Sequence, residues 1–506
     1  MNKIRNFLPG LKGYWQRLSL WERVAGAGLF LYAAFAPHSI AGAEIALAIV
    51  FAGWLGRAIA TGRWRGPHTP VGVPLALFLA WTVLSSAFSY EPYISLRKLQ
   101  SVLVFGALYL ARATARRAWV VPLAGVLLLS GAVGALWSVI DVARGRGVVI
   151  EAIAEDSPYH ATLLQAGDAV WRVGGRRVAS VAEIDAILQS APAGTQVSLS
   201  AVAKGEHAEW PGIVVTDELR QHPSPSGLGG TQATHRFRAS GWTRHYETFA
   251  EILQMVAQVA LGLMLAYWSR RRDGWAGRLA GAATLILLVG IALTAMRTAL
   301  VAFSVGALVT AWRVTGRTRA RVWVVCLLCA ALALGAWTVA RTRAGGALRL
   351  GDDSSSLRLQ LAEAGARRVT VRPLLGHGLD AVKLHWREWG FPGDAIIHTH
   401  STPLQIAFER GLPALLLWLW LMLAAWRMTA RAESAARDDV DAAQHGVLLG
   451  ILGALTGFAA SSLVNYNWGD AEVILLFWWL LGLVTVNTYA RTPEANAGTP
   501  GRRDAE

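Results

Sequence analysis

The sequence predicts an all-α polytopic membrane protein of about 12 transmembrane helices, with a small α/β domain between helices 5 and 6 and a large outward loop between helices 9 and 10. Three observations predict it. Of 506 residues, 54% are hydrophobic and only 16% charged, against roughly 25% charged in a soluble domain. Apolar runs of spanning length fall near 21–36, 38–57, 69–89, 98–114, 118–139, 248–268, 276–294, 297–313, 320–340, 411–429, 443–464 and 470–490. Basic residues collect on alternate connections, among them Lys3 to Arg17, Arg57 to Arg65, Arg112 to Arg117, Arg270 to Arg272, Arg313 to Arg321 and Arg427 to Arg437. That is the positive-inside asymmetry, with both termini cytoplasmic. The net charge of +15 is then mostly topological, and no nucleic-acid partner is implied.

The chain accordingly divides into 1–146, carrying helices 1–5; 147–217, the small domain; and 218–340, a linker with helices 6–9. There follow 341–410, the outward loop; 411–490, carrying helices 10–12; and 491–506, a cytoplasmic tail. Many of the 23 Trp lie near span ends, where an amphipathic ring suits the headgroup region. Cys326 and Cys329 sit together in one apolar run and read as core filler, so neither a disulfide framework nor a Cys-based zinc site is available.

From Val148 to about Val215 the pattern changes to short apolar runs broken by Gly, Pro and Asp, as in a small α/β domain. Its order of Gly147–Ile150, Asp156-Ser-Pro158, Ala166-Gly-Asp168, Val173-Gly-Gly175 and Ala193-Gly-Thr195 resembles a bacterial PDZ domain. The resemblance implies capture of a peptide C-terminus by strand addition, with the carboxylate on the loop Gly147, Val148, Val149 and Ile150. A spacer that binds nothing is the competing reading.

The chain returns to the membrane through Arg236, Arg238 and Arg244, interleaved with Phe237, Trp242 and Tyr246. Guanidinium forks at a membrane surface bind phosphate oxygens bidentately, although snorkelling accounts for the same pattern. Arg297 lies in the outer turn between two spans, where an anion is the default partner.

The second outward segment carries His398-Thr-His400-Ser401-Thr402-Pro403-Leu-Gln405, then Glu409-Arg-Gly411. Thr402 to Gln405 fits a capping box with Pro at the first helical position, so a short helix should start here and stop near Gly411. The positive end of that helix would keep the His400 ring neutral and able to accept a proton. No tight ligand spacing joins His398 and His400 to His377, His385, Asp380 or Asp394, so no metal is expected. Nucleophile elbows, phosphate loops and dinucleotide fingerprints are missing from the sequence.

These residues resemble the O-antigen ligase superfamily, which includes O-antigen polymerases and protein O-oligosaccharyltransferases. The likeness rests on Ser356-Leu-Arg358, Arg372-Pro-Leu-Leu-Gly376-His-Gly378, the His398-Thr-His400-Ser401 box, Glu409-Arg-Gly411 and the twelve-span layout. It implies an inner-membrane enzyme that needs no metal or other cofactor. Such an enzyme moves a glycan from undecaprenyl pyrophosphate to an acceptor hydroxyl at the periplasmic face, with inversion. O-antigen ligation to lipid A-core is the leading expectation. Protein glycosylation and polymerisation are the alternatives within the class, and a transporter or PDZ scaffold is the alternative outside it. By the same resemblance His400, Arg297 and His398 are catalytic, and Arg238, Arg244, Arg297 and Arg358 hold the pyrophosphate. Two departures stand out: Met296-Arg297-Thr298 where relatives often read Ser-Arg-Gly, and Ser401 where Asn is common.

Overall fold

The fold comes from a computed structural model. It describes residues 17–64, 69–160, 164–203, 206–270, 274–314, 353–392, 398–437 and 441–489, with isolated positions between and beside these stretches. Among the described residues, seven helices are long and apolar enough to cross a membrane: Ile40–Thr61, Pro92–Thr114, Arg117–Arg144, Tyr246–Ser269, Trp275–Leu293, Thr402–Arg437 and Ala442–Ser462. Leu20–Phe35, Gly72–Ala87, Arg297–Arg313 and Ala471–Tyr489 are further helices. Most of the expected span 320–340 lies outside the described residues, as does the tail. Cys326 and Cys329 are free and exposed, which corrects their reading as core filler.

Helix Tyr246–Ser269 is the hub, buried at every residue from Thr248 to Ala266. It packs closely on Ala442–Ser462, where a Cβ on Gly262 would come within 2.3 Å of the Gly450 nitrogen. Small residues allow this approach, which suits helix association without a hydrophobic driving force.

Two spans differ from the expected pattern. The run at 98–114 is composite: helix Pro92–Lys98, a 3₁₀ stretch Leu99–Phe105, and helix Gly106–Thr114. The run at 411–429 belongs to a longer unit, Thr402–Arg437, broken at Gly411 (φ 83°, ψ 170°). The break and the start at Thr402 are where the Pro and Gly signals put them.

The insert is a five-stranded antiparallel sheet. Val148–Val149 pairs with Ala169–Val173, which pairs with Gln196–Ala203 and then Glu206–Val214, while Arg176–Arg177 folds back on Ala169–Val173. Helix Val181–Ser190, capped by Ser180 at the Glu183 N–H, covers a core of Ile150, Tyr159, Val173, Ile184, Leu188 and Leu199. Arg146 rivets this unit to the membrane part. Its guanidinium pairs with Asp141 at the end of a span, bonds His207, and lies 4.5 Å from the centre of the Phe237 ring.

The strand that starts at the predicted peptide loop is paired along both edges. On one side Ile150 N–H donates to Asp168. On the other, Arg146 and Thr234 bridge, Val149 N–H donates to Gln232, and Ala152–Ile153 pairs with Leu228–Gly229. The chain's own segment 227–234 therefore lies along the edge on which a peptide would add, and pairing of the insert runs on past residue 217.

Candidate active site

Two sequence segments that looked like separate motifs clasp one another. His377 N–H donates to the Phe408 carbonyl, Gly378 N–H to Glu409, and Leu412 N–H to Pro373, at 2.9, 2.8 and 2.7 Å. The approach needs glycine: a Cβ on Gly411 would sit 1.8 Å from the Leu374 oxygen, and one on Gly376 2.4 Å from the Glu409 carbon. The Arg-Pro-Leu-Leu-Gly-His-Gly and Glu-Arg-Gly runs thus fix where the short helix from Thr402 to Arg410 ends, and with it where His400 stands. His377 is packed among Tyr90, Trp389 and Phe408, with ring centres 4.8 to 5.5 Å away.

The start of that helix is tied by a polar knot. The Thr402 N–H and hydroxyl donate to the Asn465 carbonyl, and the hydroxyl also donates to Asn467 Oδ1. Asn465 Nδ2 donates to Glu251 of the hub helix, to Thr298 and to Ser461, at 3.0 to 3.1 Å. One asparagine thereby joins the residue after Arg297 to the residue two beyond His400. The capping box expected at Thr402 does not form, because the Thr402 hydroxyl serves this knot. Gln405 instead accepts from Thr399 N–H and donates to Glu409.

His400 is half-buried and adopts φ 52°. Non-glycine residues in the left-handed region are uncommon and gather at functional sites. The other two described here are Ala295, two residues before Arg297, and Asp380. The His398 and His400 rings meet edge to face, 4.3 Å between centres. The His400 N–H donates to His398 Nδ1, which assigns the proton of a neutral His398 ring to Nε2. Burial pushes His400 down to about 3, and the neighbouring His398 ring and Arg358 guanidinium push the same way. The ring is therefore neutral at working pH, as expected, but through burial first rather than the helix dipole.

His398 and His400 line a cavity of about 860 Å³ with Glu44, Glu247, Glu251 and Tyr466. Asp380, Lys98, Lys383, Glu409, Arg410, Asp470 and the 3₁₀ stretch from Leu99 to Phe105 also border it. Carboxylates outnumber cations in this wall. Lys98 and Lys383 both pair with Asp380, at 3.3 and 2.9 Å. The His385 ring nitrogens face Glu91 and Glu388, while Asp394 lies outside the described residues.

None of the arginines predicted to hold pyrophosphate lines this cavity. Arg358 pairs with Glu247 at 3.5 Å and is close enough to act on both histidines. Arg238 stacks over Tyr246 at 4.3 Å, and the Tyr246 hydroxyl donates to Glu247. Arg358 and His398 therefore share the Glu247 carboxylate, with Arg238 on the far side of the Tyr246 ring. Arg297 opens helix Arg297–Arg313, half-buried, beside the Asn465 knot. Arg244 is exposed and its charge reaches Glu472. Glu247, Glu251, Asn465, Asn467 and Asp470 were not singled out from sequence. The signal available was Asn465-Tyr-Asn467-Trp-Gly-Asp470, a cluster of amides and an acid between two apolar runs.

Residues 282–419 match the family model described as O-antigen ligase. A search of curated proteins finds no match. The matched stretch includes Arg297, Arg358, the clasp, His398 and His400, and it stops short of the insert and of Arg238 and Arg244. For a multi-pass membrane chain this match supports, in general terms, the transfer of lipid-linked glycans.

Proposed function

We propose that this protein is an inner-membrane glycosyltransferase that moves a glycan from undecaprenyl pyrophosphate to an acceptor hydroxyl on the periplasmic side, with lipid A-core as the acceptor. A twelve-span topology with both termini in the cytoplasm belongs to the same proposal. The observation that carries it is His400: a neutral ring in a left-handed turn, opening onto a cavity and flanked by Arg358, inside the matched segment.

The chemistry needs no metal, because pyrophosphate is already a good leaving group. The acceptor oxygen attacks the anomeric carbon from the face opposite the pyrophosphate; a C–O bond forms, the bond to the pyrophosphate oxygen breaks, and the configuration inverts. A ring held as low as His400 is a weak base. It accepts a hydrogen bond that orients the hydroxyl and takes the proton late, as positive charge builds on the sugar. Arg297, Arg358 and Arg238 would neutralise the departing undecaprenyl pyrophosphate. Carboxylates and aromatic rings in the cavity wall suit sugar hydroxyls and ring faces.

Arg297→Ala and His400→Ala are each expected to abolish transfer while leaving expression and the size profile in detergent intact. Full activity in either variant would remove that residue from the proposal. A protein acceptor held by the insert is disfavoured, because a peptide would first have to displace segment 227–234.

A further inference from the structure

The cavity at His400 meets a carboxylate before it meets the arginine paired with it. Glu247, in the first turn of the hub helix Tyr246–Ser269, borders the cavity, and Arg358 does not. Arg358 stands on helix Asp353–Val371, with its guanidinium 3.5 Å from the Glu247 carboxylate. The Tyr246 hydroxyl donates to the same carboxylate oxygen at 3.3 Å.

This ion pair is open to water, the Arg358 and Glu247 side chains being 31% and 37% exposed. Pairs of that kind contribute little to stability and exchange partners readily. Both charges also act on the catalytic histidines. Burial holds the His398 ring below its ordinary value, the Glu247 carboxylate raises it and the Arg358 guanidinium lowers it. An anion entering the cavity therefore competes with Glu247 for Arg358. A pyrophosphate offers the guanidinium several oxygens and a higher charge than one carboxylate oxygen, so the exchange favours the ligand.

We propose that Glu247 is a positioning residue, a built-in anion that holds Arg358 beside the histidines before the donor arrives, yields it to the pyrophosphate of the incoming lipid, and takes it back as undecaprenyl pyrophosphate leaves. The proposal rests on the transfer reading above, because the displacing anion is the leaving group of that reaction. Two opposed effects follow: the carboxylate weakens donor binding and speeds product release.

The test is binding of undecaprenyl pyrophosphate to the full-length protein in detergent, measured by microscale thermophoresis, with transfer kinetics alongside. Glu247→Gln removes the charge and keeps an oxygen for the Tyr246 hydroxyl. It is expected to bind the lipid about fivefold tighter than wild type. It should also lower donor KM and kcat together, because product leaves more slowly. Glu247→Ala should tighten binding in the same way. Arg358→Gln should weaken binding, and adding Glu247→Gln to it should change nothing further, since no guanidinium remains to be withheld. Unchanged or weaker binding in both Glu247 variants, or the same tightening in the Arg358→Gln background, would overturn the proposal and leave the donor reading in place. A wild type that binds no undecaprenyl pyrophosphate would overturn both.

Discussion

At the scale of single residues, His400 combines a backbone conformation that side chains avoid with an environment that refuses a proton. Its ordinary value near 6.5 is pushed down to about 3, so the folded protein leaves the ring neutral where the unfolded chain would protonate it. The stabilising contribution is present above about pH 6.5 and is lost as pH falls toward 3. Transfer should therefore show no acid limb near 6.5 from this residue. A His400 ring that titrates near 6.5 by NMR in the folded protein would contradict the assignment. Asn465 makes a second residue-level prediction. Asn465→Leu leaves the buried Glu251 carboxylate and Thr298 short of a donor, a loss of about 1–3 kcal/mol. A thermal unfolding midpoint equal to wild type in detergent would show that the knot does not hold these helices. His400 was legible because Pro403 marks a helix start and the histidine precedes it. Asn465 was not, because its partners come from three distant segments and a short polar loop between apolar runs reads only as a turn.

At the scale of elements, the clasp between residues 372–378 and 408–412 sets the geometry. Gly411→Ala would force a Cβ to within 1.8 Å of a backbone oxygen at φ 83°, so the variant should lose both activity and yield of folded protein. Gly125→Ala, where nothing lies within 4 Å of the added Cβ, should leave both intact. Equal behaviour of the two variants would contradict the close-approach argument. The break at Gly411 could be read from the sequence, since glycine ends helices. The 3₁₀ stretch from Leu99 to Phe105 could not: it is an apolar run without internal Gly or Pro, and only packing at the cavity wall distinguishes it from an ordinary span. The peptide edge of the insert was likewise invisible, because pairing of residues 146–154 with 227–234 depends on contacts some 80 residues apart in the chain.

At the scale of the whole molecule, the insert hangs from a closed base. Arg146 and Thr234 exchange backbone hydrogen bonds at 2.8 and 3.0 Å, so the chain can be rejoined across residues 147–233 with a short glycine linker. The shortened protein should keep the membrane fold and transfer to lipid A-core. Loss of transfer with an intact size profile would give the insert a direct part in the reaction. Hydropathy and charge alternation made the membrane class plain from composition alone. The spacing of helices around one buried hub depended on small residues such as Gly262 and Gly450, which no hydropathy scale weighs. The measurement that tests the central claim most directly is transfer by the purified protein in liposomes. The assay supplies an undecaprenyl pyrophosphate-linked glycan, EDTA and lipid A-core, with products read by mass spectrometry. Glycan on lipid A-core is expected in the wild type and none with His400→Ala. No transfer by the wild type, or transfer that survives His400→Ala, would contradict it.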